Sequence, residues 1–165
     1  MTALEQARAA AYPPGEYVGR ESFMRAGEIR ALTHQARIGP GVSVLDLCGG
    51  VAGGRLAFTV EEGRPLTQQE RARMPGADKV WLTELAELTG MLRETGLATI
   101  WRQEYSSSRH EIATALLRSY RADSLQIAGQ IGTRATAELI TAHQLWSDWL
   151  GSGRVRKFAM VAEKQ

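Results

Sequence analysis

Apolar side chains recur along this chain at two spacings, and the switches between them mark out its elements. The stretch from 83 to 104 carries both. Leu85, Leu88 and Leu92 lie three and four residues apart, on one face of a helix. Thr83 precedes them as a cap, Gly96 stops the helix, and Leu97 to Arg102 then reads as a strand. The same reasoning predicts a helix over 2–11, ended by Pro13, Pro14 and Gly15. A second runs over 22–36, where Phe23, Ala26, Gly27, Arg30, Ala31 and His34 keep helical spacing. Thr67 and Glu70 form a capping box for a short helix before Pro75. Ser108 and Glu111 cap a long helical stretch to about Leu150, broken near Gly129 to Gly132.

Three other runs are too short and too continuously apolar for helices. Val42–Leu47, Arg55–Val60 and Val155–Ala162 suit strands, the first buried on both faces. Strands alternating with helices argue for an α/β sheet.

Length and composition narrow the setting. The 165 residues suit one domain with one core. A formal charge of +2 gives no ground for a nucleic-acid or membrane partner. The basic run Arg154, Arg156, Lys157 reads as the solvated lip of a strand. One cysteine excludes an internal disulfide and a cysteine-rich metal site, which fits a reducing cytoplasm. No signal pattern or membrane-length apolar run is visible, so the expected localisation is cytoplasmic, and no metal site is expected.

The stretch "VSVLDLCGGVAG" joins a strand ending in an acid to a turn of small residues. Small residues let the backbone approach a ligand closely, and amides at a following helix N-terminus can receive an anion. This stretch resembles motif I of the class I S-adenosylmethionine-dependent methyltransferases. The resemblance implies that Asp46 is the motif acid and that Cys48, Gly50 and Ala52 occupy its three glycine positions. Together with Gly49 they would contact the cofactor, S-adenosylmethionine. "EYVGRESFMRAGEI" is similar to the family's lid helix, which implies cofactor contacts from Tyr17, Arg20 and Phe23. "GGRLAFTVEEG" looks like its fifth strand, "TELAELTGMLRETGLATIWRQEY" like its last helix and sixth strand, and "GRVRKFAMVAEK" like its seventh.

One connection departs from that pattern. Only seven residues separate Leu47 from Arg55, whereas a parallel neighbour needs a crossover of a dozen or more. The chain passes from motif I directly to strand five, without the segment that in the family holds the ribose and adenine. That gap is compatible with a segment missing from this chain, a shortening by design, or a natural abridged relative. Glu61 and Glu62 could be mistaken for the ribose acid and read better as solvated strand-end carboxylates.

The resemblance thus implies an abridged Rossmann-like sheet in one domain, 1–165. Its parts are N-terminal lid helices over 1–41, a sheet core over 42–105 and 154–165, and a helical acceptor-site insert over 106–153. In the insert, Leu139, His143, Trp146 and Leu150 share a helical face. His143 is either a core residue or a general base; Trp146 and Trp149 either pack or wall an acceptor pocket. His110 reads as a surface residue, His34 as structural, and Cys48 as a small residue in a tight turn.

The function implied is methyl transfer to a small-molecule acceptor. The alternative is a methyltransferase-derived scaffold that no longer methylates, either a cyclase- or isomerase-type enzyme or a non-catalytic partner subunit. The truncated sheet leaves two outcomes: a homodimer completing both sheets, or a compact monomer in which strand five closes on strand one.

Overall fold

A computed structural model describes residues 1–19, 24–40, 45–46, 50–52, 54–75 and 80–165, with backbone alone at 45–46 and 50–52. The chain forms two compact units, one of residues 1–26, 66–80 and 107–154, the other of 27–65, 81–106 and 155–165.

The second unit is built on a sheet. Its strands are β1 (Leu45–Asp46), β2 (Gly50–Ala52), β3 (Arg55–Glu62), β4 (Leu97–Glu104) and β5 (Arg156–Lys164). Their order is β1-β2-β3-β5-β4, and every neighbouring pair is antiparallel. β3 and β4 therefore run in the same direction on either side of β5. The central strand is buried from Lys157 to Ala162, which explains its unbroken apolar sequence.

Two helices cover this sheet. Leu85, Leu88 and Leu92 of α4 (Leu85–Glu94) pack on Leu56, Phe58, Val60 and Met160. Leu32 and Ala36 pack in a second cluster with Ala57, Val161 and Trp101, which draws α2 (Ala26–Gln35) to the sheet. The expected lid layer over 1–41 is thus divided, because α2 has an apolar face that the sheet buries. Gly96 ends α4 at φ +75, a conformation that favours glycine, and β4 follows at once.

The seven-residue gap is solved by reversal. β1 pairs with β2 (Asp46 with Gly50), β2 pairs with β3 (Ala52 with Arg55), and Gly54 turns at φ +81. A tight antiparallel connection needs only a few residues, where a parallel one needs a crossover. This corrects two expectations: residues 50–52 are a strand rather than part of a cofactor turn, and strand five does not close directly on strand one.

The charged strand ends are also corrected. Glu61 lies opposite Lys157 and Glu62 opposite Arg156 in the β3–β5 register. Lys157 is buried, donating to Glu61 Oε1 at 2.6 Å and to Thr59 Oγ1 at 2.9 Å, and Arg156 donates to Glu62 Oε2 at 2.8 Å. Neither the acids nor the basic run is a freely solvated edge, because the register pairs their opposite charges.

The other unit is helical: α1 (Ala3–Ala10), α3 (Gln68–Arg73), α5 (Ser106–Ala122), α6 (Ser124–Ile131) and α7 (Thr133–Gly151), with α5 entering it from the sheet unit at Ser107. Thr2 with Glu5, and Thr67 with Glu70, close full capping boxes. Two other expected caps fail. Thr83 bridges to Glu62, leaving Glu84 as the N-cap of α4, and α5 starts at Ser106, so Ser108 lies inside it. The insert breaks at Gly132, as expected, and also at Asp123. Its core joins Tyr12, Ile112, Leu116, Tyr120 and Ile127, with Leu139 and Ile140 packed alongside. No described helix is long and apolar enough to cross a membrane.

Candidate functional site

The helical face read from the sequence forms one buried surface in the helical unit. His143, Trp146, Trp149 and Leu150 of α7 are all buried, and Leu139 packs on the core. The His143 ring meets Tyr120 edge-on, with centroids 4.9 Å apart. Its Nδ1 lies 2.8 Å from the Leu139 carbonyl, which can only accept, so Nδ1 carries the proton and a neutral ring keeps its lone pair on Nε2. Trp146 and Trp149 stack edge-to-face at 5.9 Å, and the buried Arg109 guanidinium lies 5.4 Å from the Trp146 centroid. These residues are brought together as an enclosed aromatic cluster. His110 is half-buried rather than a free surface residue, its ring against Gly151.

A cleft opens on the neighbouring face of α7. Arg73, Arg121, Ile140, Thr141, Gln144 and Leu145 line a cavity of about 370 Å³. Ile140, Thr141, Gln144 and Leu145 recur at helical spacing, one step round from His143. Arg121 Nη2 donates to Gln144 Oε1 at 2.6 Å, and Gln144 Nε2 donates to Asp148 Oδ1 at 2.8 Å. This relay fixes the amide of Gln144 and aims the Arg121 guanidinium. Sequence reasoning missed the cleft because Arg73 is 48 residues from Arg121, and only tertiary packing joins them.

The expected cofactor residues are dispersed. Tyr17 packs in the helical unit, its ring 5.2 Å from that of Tyr12. Arg20, Phe23, Cys48 and Gly49 lie outside the described residues. Asp46 ends β1, while Gly50 and Ala52 belong to β2. Among the described residues no three metal-ligating side chains gather.

No family profile and no curated protein matches the sequence. Solved structures do match. A cyclopropane synthase from Mycobacterium tuberculosis superposes with a TM-score of 0.57 at 10% identity over 82% of this chain. A mycolic acid cyclopropane synthase in its apo form gives 0.52 at 11% over 91%. The fold is that of the class I methyltransferases. A phosphoethanolamine N-methyltransferase from Haemonchus contortus, solved with phosphomonomethylethanolamine and S-adenosylhomocysteine, gives 0.56 at 15% over 68%. This chain spans 49%, 55% and 27% of those three chains respectively, so it corresponds to about half of such a protein or less.

The family's cofactor can be tested against the described backbone. A cradle for S-adenosylmethionine requires free amides after the motif acid, at a turn that leads into a helix. Residues 47–49, directly after Asp46, lie outside the described residues, and β2 beyond them is paired on one side to β1 and on the other to β3. A strand flanked on both sides has its N–H and C=O groups taken up by its neighbours. Gly50 is paired to both neighbours and Ala52 to β3 alone, so within β2 neither stands at the helix N-terminus that such a cradle requires.

Proposed function

We propose that this protein uses a methyltransferase-type frame to handle a small-molecule ligand in its helical unit, without binding S-adenosylmethionine through its own motif I stretch. The observation that carries this reading is β2, which takes Gly50 and Ala52 of the expected cofactor turn into sheet pairing. It corresponds to the alternative of a methyltransferase-derived scaffold that no longer methylates. The 370 Å³ cleft is of the size that small molecules occupy. The one cysteine and modest net charge suit a cytoplasmic protein with neither a nucleic-acid nor a membrane partner.

A second reading is methyl transfer from S-adenosylmethionine to a small acceptor. It is favoured by the fold and by Asp46 at the end of a strand, and it requires β2 to leave the sheet. Within it, His143 would supply a base at Nε2, and Trp146 and Trp149 would bound the acceptor. Calorimetric titration with S-adenosylhomocysteine separates the two. The first reading expects neither heat nor a thermal shift at about 1 mM ligand, and a Kd near about 10 μM would establish the second instead.

A further inference from the structure

We infer that the α3–α5–α7 cleft is a binding site for a small organic carboxylate with an apolar body. This rests on the small-molecule reading of the helical unit and names the ligand class. Three arginines elsewhere in this unit meet acids: Arg154 grips Glu70 through two bonds of 2.7 and 3.0 Å, Arg134 pairs with Glu138, and Arg25 with Glu111. Among the described residues neither Arg73 nor Arg121 makes an ion pair, yet both line the same cleft. No carboxylate lines it; the nearest in the hydrogen-bond relay is Asp148, one amide beyond Gln144.

The shape of the cleft adds a second constraint. Two guanidiniums alone describe a solvated surface, and here they flank apolar side chains. Ile140 is half-buried and Leu145 buried, and both belong to the cleft wall. A planar guanidinium presents parallel N–H donors that match a carboxylate. Arg121 is already oriented by Gln144, so binding need not order it from every rotamer. The carboxylate lies between Arg73 and Arg121, and the hydrocarbon lies along Ile140 and Leu145. A simple inorganic anion would leave the apolar wall uncovered, and a neutral alcohol would leave the guanidiniums uncompensated.

Octanoate, octanol and inorganic phosphate are suitable probes, each titrated by calorimetry into the full chain. Octanoate is expected to bind with a Kd below about 1 mM, and octanol and phosphate at least about ten-fold more weakly. Arg121→Gln and Arg73→Gln should each weaken octanoate binding about ten-fold, with the thermal midpoint unchanged because both side chains are exposed. Thr141→Glu, also at an exposed position, puts a carboxylate into the cleft and should abolish binding in a folded protein. No octanoate binding at about 10 mM, equal binding of octanol, tighter binding of phosphate, or wild-type affinity in all three variants overturns the proposal. None of these outcomes depends on S-adenosylhomocysteine, whose titration tests the broader reading separately.

Discussion

At the scale of single residues, environment decides between two roles for the same side chain. His143 and Trp146 were legible as one helical face from their three-residue step, but the sequence left core and pocket open. Burial of both, with Tyr120 edge-on to the histidine and Arg109 over the tryptophan, makes the cluster a packing unit of the helical core. Trp146→Ala removes a large buried ring and the face on which Arg109 rests. It should destabilise the protein by about 3 kcal/mol, measured by urea unfolding. A loss under about 1 kcal/mol would mean that the ring does little packing and is held for a ligand.

At the scale of elements, caps and register carry the charge chemistry. Glu70 closes the N-terminus of α3 and grips Arg154, an arrangement that joins two segments 84 residues apart. The Arg154 guanidinium, followed by the Thr67 backbone amide, holds the Glu70 carboxyl at about 2, below its ordinary value of 4.5. A depressed folded-state value means that the folded protein favours the charged form. Its contribution is complete above about pH 4.5 and is lost as pH falls toward about 2. Glu70→Gln should therefore lower stability by about 2 kcal/mol at pH 7 and flatten the decline between those limits. Thermal melts from pH 7 to about 2 measure both effects; parallel curves for variant and parent would remove Glu70 from the account. The box itself was legible from Thr67 and Glu70, three residues apart. Its tie to Arg154 was not, since an acid's long-range partner leaves no mark in local spacing.

At the scale of the whole molecule, the open question from the sequence was what an abridged sheet does with its edges. The described edges are β1 and β4, and the register of β4 shifts between Thr99 and Trp101. A bulge opposes pairing with another sheet, and β4 also carries exposed Arg102 and Glu104. Light scattering at about 100 μM should therefore give the 18.1 kDa monomer, and a species of roughly twice that mass would restore the homodimer. The sequence by itself determined the elements whose signals are local. These are the α4–Gly96–β4 unit, the capping box at Thr67, the break at Gly132 and the apolar central strand at 158–162. It also carried the family likeness, because strands five, six and seven each kept a recognisable pattern. Tertiary structure alone decided how residues 45–46 and 50–52 are used. The same acid and small residues can enter a cofactor turn or a hairpin, and the choice depends on whether a crossover helix or a neighbouring strand takes up their backbone groups. It likewise brought Arg73 to Arg121, since a cleft between helices is made by packing, and no periodicity along one segment encodes which distant side chain will face it.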